Sequence, residues 1–171
     1  MKVIGIIGWK NSGKTFFAQR IIKKLTQKGI NVASIKRADH NFDIDTPNTD
    51  SYLHRKAGSK QVIVSSSKRW AKITELDNKN EKRLEELLKE LDNTDIVIVE
   101  GFKKELHKKI EIINQSNENY LFNEIENVIA VVSNSKLNTN LPQFKKNEID
   151  LRRIFQFVLN RGCADHRNLV P

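Results

Sequence analysis

The sequence has few of the residues that proteins cross-linked by disulfides or metals require, and it lacks the long apolar runs of membrane-embedded proteins. Its 171 residues include one cysteine, three prolines and seven glycines, and only 7% are aromatic. The lone Cys163 excludes an intrachain disulfide framework and a zinc cluster built from several cysteines. No apolar run approaches the roughly 18 residues that a membrane-spanning helix needs. The length suits one compact domain, so we expect a single domain over residues 1–171.

The first residues also lack the marks of a secretory leader. A short apolar run after Lys2 leads into a polar, glycine-rich turn, with no small-residue cleavage site. Together with the near absence of cysteine, this pattern favours a reducing compartment. We therefore expect a cytoplasmic protein without a membrane anchor.

Acidic residues are missing from the first 38 positions, and the first is Asp39. Residues 1–72 hold 15 Lys and Arg against four acids, a net charge of +11, whereas residues 73–171 carry a net charge of −2. A basic chain often binds nucleic acid, but no nucleic-acid recognition motif accompanies this charge, so that partner is not expected. A small phosphorylated ligand or an acidic protein surface fits the basic half better.

Apolar runs and helical periodicity alternate along the chain. Strands are predicted at residues 2–7, 31–36, 61–65, 70–76, 96–99, 109–113 and 128–132. A first helix is predicted where Phe17, Ile21 and Leu25 share one face, and two more are predicted at residues 50–57 and 81–91. A last helix is predicted after a cap at Asn147 and carries the apolar residues Ile149, Phe155, Val158 and Leu159. This alternation predicts a layered α/β domain around a mostly parallel sheet flanked by helices.

The strongest motif lies between the first strand and the first helix. Residues 8–15, GWKNSGKT, match the phosphate-loop pattern G-x-x-x-x-G-K-[ST]. In this pattern Gly8 and Gly13 let the backbone curl, Lys14 reaches the β and γ phosphates and the Thr15 hydroxyl ligates Mg²⁺. Inward-pointing amides are predicted for Asn11, Ser12, Gly13, Lys14, Thr15 and Phe16. A nucleoside triphosphate site is therefore predicted, the alternative being a glycine-rich turn that matches by chance.

Two further residues are candidates for the same site. Lys10 is a second lysine within the loop, and it either adds to phosphate neutralisation or is simply solvated. Glu100 follows an apolar strand at its carboxyl end, where α/β sheets place their ligands. We expect Glu100 to hold the metal or its waters and to act in catalysis, with a polar strand end as the alternative. Asp95, at the start of that strand, is expected to be structural.

Two more carboxylates flank Ile44 after the second strand. In an extended segment Asp43 and Asp45 share one side. Such a pair suits a role for Asp43 in orienting a nucleophile and for Asp45 in binding metal, although the segment equally suits a polar turn. His40 and His54 have no third ligand at a metal-site spacing, so neither is expected to bind a metal.

At these motifs the chain resembles the molybdopterin-guanine dinucleotide biosynthesis adaptor (MobB) family. The resemblance rests on GWKNSGKT (8–15), FDIDTPNTDSYLHRKAGS (42–59), SSKRWAKITEL (66–76) and DIVIVEGFKKE (95–105). It implies a P-loop fold that binds GTP with Mg²⁺, a homodimer and weak GTP hydrolysis. It also implies partnership with the guanylyltransferase MobA, which attaches GMP to molybdopterin.

Carried over by position, the resemblance places the triphosphate on residues 8–15 and Glu100 near the metal. It assigns Asp43, Asp45, Asp50, Ser51 and Arg55 to the family's characteristic loop. Two stretches depart from the family pattern: residues 36–40 read KRADH where many relatives have K-H-x-H-H, and residues 47–51 read PNTDS in place of PGKDS. Phosphate binding does not depend on either stretch, whereas a pterin or metal contact through the missing histidines is not predicted.

Base recognition and hydrolysis have weaker sequence signals. The chain has no N-K-x-D motif for guanine, and residues 132–135 are the candidate base-contacting segment. Slow hydrolysis is expected, with Arg37 or Arg55 as groups that assist it. The rival interpretations are a small-molecule kinase using the same loop and a nucleic-acid-associated NTPase.

Overall fold

The computed structural model describes residues 1–38, 41–76, 81–114 and 119–161. Contacts within the chain group it into two compact units, Met1–Arg37 with Leu84–Pro171, and Ala38–Arg83. The single-domain organisation stays a prediction. Cys163 lies outside the described residues.

The secondary structure follows the predicted alternation. The strands are β1 (Lys2–Ile7), β2 (Val32–Lys36), β3 (Gln61–Ser65), β4 (Trp70–Thr74), β5 (Ile96–Glu100), β6 (Lys109–Ile112), β7 (Val128–Val132) and β8 (Gln143–Phe144). The helices are α1 (Lys14–Thr26), α2 (Asp50–Lys56), α3 (Leu84–Leu88) and α4 (Glu148–Arg161), with a 3₁₀ turn at Leu121–Asn123. Every predicted strand and helix is present. No sequence pattern predicted the two-residue β8 or the 3₁₀ turn.

The first unit is built on a six-stranded sheet in the order β2-β5-β1-β6-β7-β8. Each of its five strand pairings is parallel, which confirms the predicted sheet. β1 lies between β5 and β6, with Ile6 paired to Glu100 on one side and to Ile110 on the other. The loop that follows β1 therefore leaves the carboxyl edge from the interior of the sheet.

Helices cover both faces of this sheet. On one face α1 and α4 pack against alternate residues of the strands, with Ile21, Leu25, Ile154 and Val158 almost fully buried. On the other face Leu84 and Leu88 of α3 pack against Val3, Val97 and Val99. Because both faces are covered, β5 is apolar along its whole length before Glu100. Ile149, one of the apolar residues on the last helix, is exposed, whereas Phe155 and Val158 are buried.

The second unit contains α2 and the antiparallel pair β3–β4, in which Val62 lies opposite Ile73. Among its described residues the buried apolar side chain is Val62, while Ile63 and Trp70 are exposed. Among the described residues of the whole chain, no helix has the length and apolar character that a membrane crossing requires.

Candidate functional site

The loop between β1 and α1 has the backbone geometry of an anion cradle. A Cβ at position 8 would lie 2.4 Å from the carbonyl oxygen of Ile112, so only glycine permits this close approach. Asn11 and Gly13 have left-handed φ angles of 61° and 94°, which curl the chain before the helix. A Cβ at Gly13 would meet nothing within 4 Å, so the space outside the loop is open there.

The amino end of α1 is left uncapped by this loop. Gly13 occupies the N-cap position, and no side-chain capping hydrogen bond is formed there among the residues that the structure describes. The orphan amides and the positive end of the helix dipole attract an anion at this point. The first turn contains no acidic side chain to oppose one.

Trp9 and Lys14 fix the shape of the loop. The Lys14 Nζ donates a hydrogen bond to the carbonyl oxygen of Trp9 at 2.7 Å. The Trp9 indole N–H donates to the carbonyl oxygen of Asn119 at 2.7 Å, and the Lys103 ammonium lies 4.7 Å from the indole ring centroid. The tryptophan thus anchors the start of the loop while the lysine spans it.

Ser12 and Lys146 connect the loop to the segments after β7 and β8. Ser12 is 3% exposed, and its hydroxyl has no hydrogen-bond partner among the described groups. The Lys146 Nζ donates to the Ser12 carbonyl oxygen at 3.0 Å, and desolvation there lowers the pKa of Lys146. The backbone N–H of Lys146 in turn donates to Asn134 Oδ1 at 3.0 Å. Sequence reasoning missed Lys146, although a lysine pair directly precedes the helix cap.

The hydrogen bonds of Lys146 place the segment 132–135 close to the phosphate loop. Through Asn134 and Lys146 it is joined to the phosphate loop, and Ser133 Oγ accepts a hydrogen bond from the backbone N–H of Ser135. Contact of this segment with a nucleotide base stays a prediction.

The candidate metal ligands Thr15 and Glu100 lie together at the carboxyl edge. The Thr15 hydroxyl donates to Glu100 Oε1 at 2.8 Å, and the Lys36 Nζ is 3.7 Å from the same oxygen. Among the described residues, no group of three or more His, Cys, Asp or Glu side chains is placed to hold a metal. One hydroxyl and one carboxylate fit Mg²⁺, which takes few protein ligands and fills its coordination with phosphate oxygens and water.

Other residues near this edge have simpler roles. Asp95 Oδ2 accepts the backbone N–H of Asn31 at 2.9 Å, which confirms its structural role. The backbone N–H of Arg37 donates to the Glu100 carbonyl oxygen. Lys10 is exposed on the loop, so both interpretations of it stay open.

In the second unit, Asp43 and Asp45 share one arginine. Arg55 Nη1 donates to Asp43 Oδ1 at 2.7 Å and to Asp45 Oδ2 at 3.0 Å, which confirms that both carboxylates lie on one side. Arg55 Nε also donates to Glu75 Oε1 at 2.8 Å, and Ser51 Oγ donates to Asp45 Oδ1.

The shared guanidinium sets the charge state of this cluster. The hydrogen bond from Arg55 holds the pKa of Asp43 below its usual value, and the same bond raises the pKa of Arg55. Engagement by three carboxylates favours a structural role for Arg55 over the predicted part in hydrolysis. His54 lies on α2, and His40 lies outside the described residues.

A row of buried ionisable groups lies beside β1, and the sequence pattern of residues 109–113 does not reveal it because it predicts only a strand. His107 and Lys109 are each 1% exposed, and Glu111 is fully buried. Burial lowers the pKa of His107 to about 3 and that of Lys109 to about 8. The carboxylate of Glu111, whose pKa burial raises, accepts the backbone N–H groups of Leu121 and Phe122.

The family model for MobB, described as molybdopterin guanine dinucleotide synthesis protein B, matches residues 3–134, a range that contains the loop, Glu100 and Asn134. The chain belongs to the MobB family. A MobB relative from Escherichia coli (strain K12), named molybdopterin-guanine dinucleotide biosynthesis adapter protein, is 34% identical over 86% of this chain and 87% of its own. A relative of the same name from Haemophilus influenzae is 35% identical over 91% of this chain and 85% of its own.

The fold agrees with that of solved MobB structures. The crystal structure of Bacillus subtilis MobB superposes with a TM-score of 0.74 at 25% sequence identity, over 96% of this chain and 100% of that one. The parallel six-stranded sheet flanked by helices is therefore the P-loop NTPase fold of the MobB family.

Proposed function

We propose that the protein is a GTP-binding adaptor of molybdopterin-guanine dinucleotide biosynthesis. The observation that carries this proposal is the phosphate loop, with Thr15 in contact with Glu100, in a chain of the MobB family. The names of the curated relatives supply the pathway and the adaptor role. The loop supplies the chemistry, because its open amides and its lysine bind a triphosphate.

Each part of the loop has a defined task in this proposal. The amides of residues 11–16 bind the phosphate oxygens, and Lys14 leaves the Trp9 carbonyl to bind the β and γ phosphates. Thr15 and Glu100 would hold Mg²⁺, which supplies neutralising charge to the phosphates. The Lys36 ammonium, already 3.7 Å from Glu100, keeps that carboxylate in place.

Hydrolysis is proposed to be slow, because the sequence offers no clear arginine finger or water-orienting glutamine. Roles for Asp43 in orienting a nucleophile and for Asp45 in binding metal are proposed from the sequence pattern alone, and Arg55 holds both carboxylates in place. Phosphoryl transfer requires a protein to position the reactants and to stabilise the charge that develops on the phosphate oxygens. Because Arg55 is neutralised by its own carboxylates, it adds little positive charge to the transition state.

Partnership is part of the same proposal. The protein is proposed to act in the cytoplasm as a homodimer that assists a MobA-type guanylyltransferase. The charge of +11 on residues 1–72 favours an acidic protein surface or the phosphate of molybdopterin as the other contact.

The experiment adds the protein to a MobA-type guanylyltransferase with molybdopterin, GTP and Mg²⁺, and measures the dinucleotide formed. We expect the wild-type protein to raise the yield and Lys14→Ala to lose that effect. Lys28→Ala, an exposed lysine beyond the end of α1, is the matched control and keeps the effect. An equal yield with and without the wild-type protein would contradict the adaptor role.

The kinase interpretation is tested with GTP labelled on its γ phosphate. Incubation with the protein and a cell extract is expected to give slow release of free phosphate. Label transferred to a small-molecule acceptor would favour the kinase instead.

A further inference from the structure

A pocket of about 110 Å³ adjoins the phosphate loop on the side of α4. Its lining includes Ser12 and Gly13 of the loop, Phe16 and Arg20 of α1, and the residues Lys145–Asn147 that precede α4. Ser12 is almost completely buried, and its hydroxyl, which has no partner among the described groups, lines this pocket. A buried hydroxyl without a partner indicates a ligand or water that would satisfy it.

The pocket is continuous with the proposed phosphate site. Ser12 and Gly13 belong to both, so a ligand held by its phosphates on the loop amides extends from there into the pocket. The far wall is fixed relative to the loop, because Lys146 donates to the Ser12 carbonyl oxygen and Asn134 accepts from the Lys146 amide. The two sites are therefore parts of one preformed cleft.

One wall of the pocket offers a stacking surface. Phe16 is 61% exposed although it is a large apolar side chain, and the Arg20 guanidinium lies 4.4 Å from its ring centroid. Glu148 of α4 forms an ion pair with Arg20 and holds it over the ring. An aromatic ring and a planar guanidinium side by side are the groups on which nucleic acid bases stack.

The polar groups of the pocket are mainly hydrogen-bond donors. Arg20, Lys145 and Lys146 are cations. The Asn147 Oδ1 already accepts a hydrogen bond from the backbone N–H of Asp150 at 2.8 Å, so the Asn147 side chain can offer its NH₂ group to a ligand as a donor. The described residues that line the pocket include no carboxylate. Guanine and hypoxanthine carry acceptors at O6 and N7, whereas adenine has an amino group in place of O6.

We propose that this pocket binds the base of the nucleotide and selects purines by a carbonyl group at C6, without recognition of the 2-amino group. This inference rests on the proposed triphosphate site. It differs from recognition by a carboxylate, which accepts hydrogen bonds from N1 and the 2-amino group of guanine. Inosine triphosphate therefore binds as GTP does, and ATP binds more weakly.

The test is calorimetric titration of the full chain with Mg²⁺ and four ligands: GTP, inosine triphosphate, ATP and inorganic triphosphate. We expect GTP and inosine triphosphate to agree within about threefold, and ATP to bind about tenfold more weakly. Phe16→Ala lowers the affinity for GTP about tenfold and leaves that for inorganic triphosphate unchanged, while Phe16→Tyr restores GTP binding. Ile149→Ala, which removes an exposed apolar side chain from α4, is the control.

Several results would overturn the inference while leaving the triphosphate site intact. These are equal affinities for ATP and GTP, an inorganic triphosphate that binds as tightly as GTP, or inosine triphosphate that binds at least tenfold more weakly than GTP. Failure of all four ligands to bind would overturn the proposed function, and this inference with it.

Discussion

Single residues determine which ions this molecule accommodates. Glu100 ends a fully buried apolar strand, so its carboxylate emerges at the edge where the Thr15 hydroxyl lies 2.8 Å away. Lys14 spans the loop, and Ser12 presents a buried hydroxyl without a partner among the described groups. The site therefore combines a cationic cradle with one carboxylate, the arrangement that a phosphate–magnesium pair requires.

The metal contact leads to the first prediction. Removing Mg²⁺ with a chelator is expected to weaken GTP binding by the wild-type protein about tenfold or more. Glu100→Gln reduces this dependence on magnesium, because the amide cannot neutralise a cation as the carboxylate does. Asp95→Asn, at the opposite end of β5, is the matched control and keeps the wild-type response. Calorimetry with and without chelator measures the magnesium dependence of GTP binding in each variant. A dependence in Glu100→Gln equal to that of the wild type would exclude Glu100 as a metal ligand.

A second prediction concerns the buried His107. The charged group that acts on His107 is Lys109, and Glu105 and Glu126 in turn act on Lys109. Burial lowers the pKa of His107 from 6.5 to about 3. Below pH 6.5 the unfolded chain binds a proton that the folded protein does not, so stability falls as the pH falls towards 3. Between pH 7 and pH 5 this group removes about 2 kcal/mol from the free energy of unfolding.

Urea denaturation at the two pH values measures this effect. His107→Leu is expected to lose this part of the pH dependence, whereas the wild-type protein and a variant of the exposed His54, His54→Asn, retain it. The same acid destabilisation in His107→Leu as in the wild-type protein would show that another group is responsible.

At the scale of elements, helix α4 positions the wall of the base pocket. Asn147 caps it as predicted, with Oδ1 accepting the backbone N–H of Asp150 at the third helical position. The cap holds the start of the helix directly after Lys146, which reaches the loop. One capping hydrogen bond thus helps to fix the distance between α4 and the phosphate loop.

Loss of this cap has a measurable cost. Asn147→Ala is expected to lower the free energy of unfolding by about 1 kcal/mol, and Asn147→Ser to retain most of it, because serine also caps helices. Urea denaturation at neutral pH compares the three proteins. A serine variant as unstable as the alanine variant would show that the side chain does not act as a cap.

The elements that were predicted from sequence share a strong local signal. The phosphate loop is located by local patterns alone: the apolar run of β1, the glycine-rich turn and the periodicity of α1. Glu100 is predicted because α/β sheets place their ligands at the carboxyl ends of the strands. Lys146 and Asn134 are brought to the loop by the parallel sheet, over more than 120 residues of chain, so no local pattern reveals them. His107, Lys109 and Glu111 were missed because burial of charged residues depends on tertiary partners rather than on periodicity.

At the scale of the whole molecule, the two units differ in what holds them together. The first has apolar layers on both faces of a six-stranded sheet. In the described part of the second, the buried apolar side chain is Val62, and Arg55 forms ion pairs with Asp43, Asp45 and Glu75. The Asp43 and Glu75 carboxylates are about half exposed, and ion pairs of such groups stabilise a fold far less than a packed core does.

This difference predicts unequal protection against hydrogen exchange. Amides of β3 and β4 are expected to exchange about a hundredfold faster than those of β1 and β5, since small units with few buried contacts open locally. Exchange followed by mass spectrometry on peptides from residues 41–76 and from β1 and β5 measures the ratio. Equal protection of the two sets would contradict the view that the second unit has the weaker core.

The central claim is that the loop at residues 8–15 binds a nucleoside triphosphate through Lys14. It is tested most directly by calorimetric titration of GTP with Mg²⁺ into the wild-type protein, Lys14→Ala and the control Lys28→Ala. We predict saturable binding by the wild type and the control, and a loss of at least about a hundredfold in affinity, ~3 kcal/mol, for Lys14→Ala. Equal affinity in Lys14→Ala and the wild type would contradict the assignment of the site.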